Sequence, residues 1–196
     1  MLEPSIDLMF PKAVLVQDEV NLEYTSEYKK SVLSIMEKYG TVKLETLSVD
    51  SSHKTFDKLH TLQEMASLVE AIYKAAAVYL KEYGYNDSFI KETKIVNMWA
   101  NTSTEGQSLE AHIHQSSLLS GAYYVESPKG SKLIFNDFTN TAPVPENITP
   151  MSCNYRWYNA VPGRLIIFRS DMPHNTNVQP AGDRMVISFN MRGPIW

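Results

Sequence analysis

The sequence predicts an α+β chain that is mainly β, with two N-terminal helices packed on one face of a sandwich or barrel. Three observations support this. Apolar residues recur at helical spacing twice before residue 86. After Asn86 the pattern changes to short apolar segments separated by Gly, Pro, Asn, Ser and Thr. No internal repeat or low-complexity tract interrupts either part. The 196 residues are 43% hydrophobic and 20% charged, which suits one compact domain. Residues 1–90 are expected to support a β core over 91–196.

Each element has its own signal. Around Pro11, Ile6–Phe10 and Ala13–Val16 are apolar and partly β-branched, the mark of a short strand pair or an edge strand. From Tyr24 to Tyr39, Tyr28, Val32, Ile35, Met36 and Tyr39 fall on one helical face, and Gly40 follows as a stop. Thr61-Leu62-Gln63-Glu64 has capping-box spacing and opens a second helix. Its stripe runs through Met65, Leu68, Ile72, Ala76, Tyr79 and Tyr83 to Gly84, and reads as a core face rather than a cofactor box. Strands are expected at 93–100, 109–114, 119–126, 132–136, 154–159, 164–168 and 184–191. Between them, 137–150 holds Pro143, Pro145 and Pro150 and reads as a long loop of the kind that often serves function.

Composition excludes several function classes. With 22 acidic and 18 basic residues the net charge is -4, so no global positive field draws the chain to nucleic acid. Cys153 is alone, which excludes an intramolecular disulfide framework and a Cys-rich zinc site, and suits a reducing compartment. The apolar runs fall far short of the ~20 residues that span a bilayer. Glu3 and Asp7 stand where a secretory signal would carry basic residues. The expectation is a cytoplasmic protein with no membrane partner, monomeric or homodimeric. The sequon Asn147-Ile148-Thr149 carries no meaning in that setting.

Three of the five histidines lie in the β half: His112 and His114 in Glu110-Ala111-His112-Ile113-His114, and His174 in Met172-Pro173-His174. Strand periodicity places His112 and His114 on one face, where two imidazoles can chelate one metal. The pair alone is a weak motif. His174 strengthens it, because it follows the turn and buried strand Pro162-Gly163-Arg164-Leu165-Ile166-Ile167-Phe168 and opens the next strand. Ten residues later comes Arg184, in a strand whose Arg184, Val186, Ser188 and Asn190 share one face while Met185, Ile187 and Phe189 share the other. A buried arginine is costly unless a carboxylate meets it, and its planar fork suits one in a bidentate pose.

Together, H-x-H, Ser120-Gly121-Ala122-Tyr123-Tyr124-Val125, P-G-x-L-x-x-F, His174 and Arg184 resemble the 2-oxoglutarate and Fe(II)-dependent oxygenases of the prolyl-hydroxylase-like type. The order Trp99-Ala100-Asn101, His112-Ile113-His114 and Ser120–Val125 is similar to a group of such oxygenases in phages and marine bacteria. The resemblance is specific over about 95–192 and general before that. It implies a double-stranded β-helix, the jelly-roll barrel, with Fe(II) held by His112, His114 and His174. Arg184 would bind the C5 carboxylate of 2-oxoglutarate, helped by Tyr124 and by Ser188 or Asn190. Trp99 is either a core aromatic or a wall of that pocket. The implied co-substrates are 2-oxoglutarate and O2, with ascorbate as an accessory reductant and an unidentified substrate. The implied reaction is oxidative decarboxylation to succinate and CO2, coupled to hydroxylation of a C–H bond.

His114 stands where the family usually places a carboxylate, and a neutral three-imidazole set could change the metal preference. Glu110 or Asp137 could supply a carboxylate instead. A cupin shares the fold, and Gly106 and Gly163 fit its spacing, but Gln115–Leu119 holds no Glu and a cupin gives Arg184 no role. Another three-histidine dioxygenase or a non-catalytic jelly-roll binding module are the remaining alternatives. Of the other residues, His53, His60, Arg164 and Arg192 read as surface groups and Cys153 as a small buried hydrophobe. Tyr123 is expected to pack on the face opposite Tyr124, and Arg169 could face the substrate entrance.

Overall fold

The computed structural model describes residues 12–40, 42–43, 53–54, 56–139, 143, 145–149 and 152–194. The apolar segment 6–10 lies outside the described residues, as do the side chain of His53 and parts of the loop at 137–150. The strands are β1 (Val14–Gln17), β2 (Val42–Lys43), β3 (His53–Lys54), β4 (Lys94–Ser103), β5 (Leu119–Glu126), β6 (Lys132–Asn136), β7 (Tyr155–Asn159), β8 (Leu165–Arg169), β9 (His174–Thr176) and β10 (Arg184–Arg192). The helices are α1 (Thr25–Tyr39), α2 (Ala66–Glu82) and α3 (Asp87–Glu92). A seven-stranded sheet runs β1-β8-β5-β10-β4-β3-β2 and faces a three-stranded sheet, β7-β6-β9. No described helix is long and apolar enough to cross a membrane.

Strand alternation divides the interior into two cores. Met185, Ile187, Phe189 and Met191 of β10 join Met98 and Ala100 of β4 against the helices, where α1 buries Tyr28, Val32 and Ile35 and α2 buries Leu68, Ile72, Tyr79 and Leu80. Each such aliphatic side chain contributes roughly 1.5–3 kcal/mol by leaving water. Tyr123 belongs to this core, edge-on to Tyr28 at 5.9 Å, and donates its hydroxyl to the Val20 carbonyl at 2.7 Å. The opposite faces of β5, β8 and β10 meet β6 in the second core, between the sheets, through Tyr124, Ile166, Phe168, Val186, Leu133 and Phe135.

Most element boundaries agree with the sequence reading; three differences have local causes. The expected capping box does not form. Thr61 lies in a 3-10 turn and donates its hydroxyl to the Lys58 carbonyl at 2.8 Å, and α2 starts at Ala66 with no side-chain cap. Burial of Leu59 and Met65 winds 59–65 into two 3-10 turns and removes Thr61 from the capping position. The same burial draws in His60, which is half-buried rather than on the surface, with its Nδ1 shut from water. The helix α3 was not anticipated; the Asn86 side chain caps it by accepting from the Phe89 amide at 2.9 Å. Residues 109–114 form no ladder. Their pairing with β9 is a single bridge, because Thr176 bonds to the Leu109 carbonyl instead of continuing the His112 register.

Candidate metal centre

That bridge positions two of the histidines. His112 donates its amide to the His174 carbonyl and accepts from the His174 amide, both at 3.0 Å. His114 is held by its own amide, which donates to the Ser170 carbonyl at 2.9 Å. One ring nitrogen from each of His112, His114 and His174 lies within 4.8 Å of the others. His114 Nε2 and His174 Nε2 are 3.2 Å apart. Nδ1 of His112 lies 2.8 Å from the Glu110 carbonyl and Nδ1 of His174 lies 2.9 Å from the Met172 carbonyl. A carbonyl only accepts, so each Nδ1 carries a proton, and in the neutral ring Nε2 is the nitrogen whose lone pair is left for a cation.

Electrostatics favour the same state. Burial first, then the neighbouring His112, pushes the His174 pKa down to about 3, so this imidazole is neutral at ordinary pH. Among the described residues the cluster includes no carboxylate. Glu110 is exposed and contributes only its carbonyl, and Asp137 Oδ1 accepts from the Thr139 amide and hydroxyl at 3.1 and 2.6 Å.

The histidines border a cavity of about 390 Å³ between the sheets, which Arg184, Tyr124, Ser188, Asn190 and Trp99 also line. All eight residues singled out in the sequence therefore meet in one place. Arg184 is 3% exposed, its Nε has no hydrogen-bond partner, and no described carboxylate pairs with it. Burial lowers its affinity for the proton, and the nearby Tyr124 opposes that shift. Tyr124 is pushed up to about 12, mainly by burial, so its phenol stays protonated. Ser188 accepts from Asn101 Nδ2 at 3.1 Å, and Asn101 Oδ1 accepts from Trp99 Nε1 at 3.1 Å. Asn190 accepts from the Ser120 hydroxyl at 2.7 Å.

Asn97, Asn101, Leu109, Leu133, Phe168 and Thr176 also line the cavity and were not singled out in the sequence. Strand parity from Trp99 would have found Asn97 and Asn101. The other four depend on how the two sheets face each other.

Residues 97–190 match the model of the family described as "Putative 2OG-Fe(II) oxygenase". The matched segment, which holds the three histidines and Arg184, is similar to the 2-oxoglutarate/Fe(II) oxygenases. That family uses Fe(II), 2-oxoglutarate and O2. No curated protein matches the chain significantly. Among solved structures, the non-heme alpha ketoglutarate dependent epimerase SnoN from nogalamycin biosynthesis superposes with a TM-score of 0.70 at 10% identity, over 92% of this chain and 78% of that one. A Pseudomonas putida prolyl-4-hydroxylase gives 0.67 at 9% identity, over 92% of each chain. HygX from Streptomyces hygroscopicus, with nickel and 2-oxoglutarate bound, gives 0.62 at 12% identity, over 94% and 84%. At these identities the likeness establishes the shared jelly-roll fold. The residues also fit those cofactors: three imidazoles suit a divalent transition metal, and a buried guanidinium that no described carboxylate pairs suits a dicarboxylate.

Proposed function

We propose that this protein couples oxidative decarboxylation of 2-oxoglutarate to hydroxylation of a C–H bond in a second substrate. His112, His114 and His174 are its metal ligands, Arg184 and Tyr124 bind the C5 carboxylate, and Trp99, Ser188 and Asn190 shape the pocket. One observation carries the reading: the unpaired, buried Arg184 opens on the same cavity as the three histidines. Fe(II) held there, with 2-oxoglutarate and O2, supplies the oxidation and yields succinate and CO2.

The protein's own groups prepare that chemistry. Backbone carbonyls of Glu110 and Met172 fix the tautomers of His112 and His174, so Nε2 of each ring is the nitrogen offered to the metal. Arg184 offers a charged fork to the far carboxylate, and the protonated Tyr124 can donate a second hydrogen bond. Trp99 and Ser188 are held by Asn101 between them, which keeps that wall rigid. Leu133, Phe168 and Val186 line the rest with apolar surface and limit water.

The whole chain acts as one domain in this reading, with 91–196 as catalytic core and 1–90 as support. The lone cysteine supports a reducing, cytoplasmic setting, and the net charge of -4 argues against nucleic acid as substrate. The direct test is anaerobic loading with Fe(II) and 2-oxoglutarate, then O2 and a succinate assay. Slow uncoupled succinate formation is expected, with loss in Arg184→Gln and His174→Ala. Folded, metal-loaded protein that neither binds 2-oxoglutarate nor makes succinate would overturn the proposal.

A further inference from the structure

His114 borders a second cavity, of about 220 Å³, as well as the one that holds Arg184. We propose that this second cavity is the primary-substrate compartment and that it takes a small carboxylate-bearing molecule bound by Arg169. The inference rests on the oxygenase reading for its orientation, because a substrate must lie beside the metal ligands and apart from 2-oxoglutarate.

The lining determines the ligand chemistry. Tyr79 and Tyr83 reach the cavity from the end of α2, Tyr85 follows them, and Arg169 and Asp171 come from the end of β8 and the turn after it. Arg169 donates from Nε to Asp171 Oδ1 at 3.1 Å and from Nη2 to Asp171 Oδ2 at 2.7 Å. This grip occupies both oxygens of Asp171 and one edge of the guanidinium, while Nη1 donates to no described protein group. Tyr79 donates its one hydroxyl proton to the Ala13 carbonyl at 2.8 Å, and Tyr83 accepts from the Ala13 amide at 3.0 Å, which leaves the Tyr83 proton only a long contact of 3.4 Å to the Tyr79 oxygen. The unused donor at this cavity is therefore Arg169 Nη1, with the weakly engaged Tyr83 hydroxyl beside it. An acceptor suits it, and a carboxylate gains the charge-assisted bond that a neutral carbonyl does not. Tyrosine rings and Leu118 supply flat apolar walls for the rest of the molecule. The volume lies below the about 300–1,000 Å³ usual for drug-sized ligands, so the occupant is small or is one end of something larger. Two arginines thus serve two carboxylates in separate cavities that share His114 as a wall.

Phenylacetate and its primary amide, phenylacetamide, are suitable probes. Their binding to zinc-loaded protein is measured by calorimetry with 2-oxoglutarate saturating, so that Arg184 is occupied. Phenylacetate is expected to bind at least tenfold more tightly than the amide. Arg169→Gln should erase that difference, and Asp171→Asn should keep or strengthen it. Equal binding of acid and amide, no detectable binding of either, or retention of the preference in Arg169→Gln overturns the proposal. Loss of phenylacetate binding in Asp171→Asn would instead indicate a compartment for cations, and also overturns it. A repeat without 2-oxoglutarate separates this result from the oxygenase reading: phenylacetate binding abolished by Arg184→Gln but not by Arg169→Gln places the probe in the co-substrate pocket and sinks the second compartment alone. Failure of 2-oxoglutarate itself to bind counts against the oxygenase reading and leaves the acid-over-amide comparison to decide the second cavity.

Discussion

The backbones of His112 and His174 bond to each other in both directions at 3.0 Å, so two imidazoles far apart in sequence are brought together before any cation arrives. Replacing either ring leaves those bonds intact. His112→Ala and His174→Ala should therefore fold, keep a far-ultraviolet spectrum like that of the parent, and lose the one equivalent of divalent metal per chain expected of the parent. Elemental analysis after dialysis against Fe(II), Ni(II) or Zn(II) checks this. A full equivalent retained in both variants would place the metal elsewhere.

Arg184 is buried with no described carboxylate beside it, a costly arrangement for the ligand-free protein. Arg184→Met should raise the melting temperature of the ligand-free protein or leave it unchanged. It should also remove the stabilisation by 2-oxoglutarate, which at a hundredfold over its dissociation constant amounts to about 2.7 kcal/mol. Thermal melts with and without 2-oxoglutarate read both effects, and their opposite directions separate a binding role from a structural one.

The proposed ligand set of three imidazoles carries no negative charge, which favours nitrogen-seeking metals over oxygen-seeking ones. His114→Asp adds an anionic oxygen ligand at that position. Its affinity for Mn(II) relative to Zn(II) should rise by about tenfold, equivalent to ~1.4 kcal/mol. Competition titrations with a chromophoric chelator measure the ratio, and an unchanged ratio would mean that His114 does not bind the metal.

Gly121 sits where β5 passes between Ile167 of β8 and Phe189 of β10. A Cβ there would overlap Phe189 Cζ and lie 2.7 Å from the Ile166 carbonyl oxygen. Gly121→Ala should cost roughly 1–3 kcal/mol by overpacking, seen as a lower urea midpoint. Gly106→Ala, which meets nothing within 4 Å, isolates the cost of a positive φ from that of packing.

Asp18 and Arg164 tie the end of β1 to the start of β8 through bonds of 2.6 and 2.9 Å. The bond to Arg164 holds the Asp18 carboxyl below its usual value, against a smaller opposing effect of burial. Because the folded pKa is depressed, the stabilisation is complete above the unfolded value near 3.9 and disappears as pH falls through the folded one. For a pair with Asp18 largely exposed, about 0.5–1 kcal/mol is at stake. Asp18→Asn should lose that amount at pH 7 and show a shallower decline of stability below pH 4, both measurable by denaturant titration across pH.

Much of the site could be read from local pattern. In β10 the alternation of Arg184, Val186, Ser188 and Asn190 with Met185, Ile187 and Phe189 follows from the period of a strand, and the two faces occupy the two environments that this alternation implies. Tyr123 and Tyr124 divide in the same way. Where local pattern failed, a nonlocal term was stronger. Thr61 had the spacing of a cap, but burial of Leu59 and Met65 set the backbone there. Residues 109–114 alternate like a strand, but their partner β9 is three residues long and offers one paired position.

Sequence alone determined which chemistry this protein can perform, because residue type sets what a side chain can ligate or donate: three imidazoles without a thiol pair, and an arginine on the face of a buried strand. Tertiary structure alone decided that these groups share one cavity, that no described carboxylate joins them, and that His114 divides that cavity from a second one lined by Arg169. The physical reason is range. Periodicity and side-chain chemistry act over a few residues, whereas closure of a cavity depends on how sheets formed from distant segments pack against each other, and no short stretch of sequence encodes that distance.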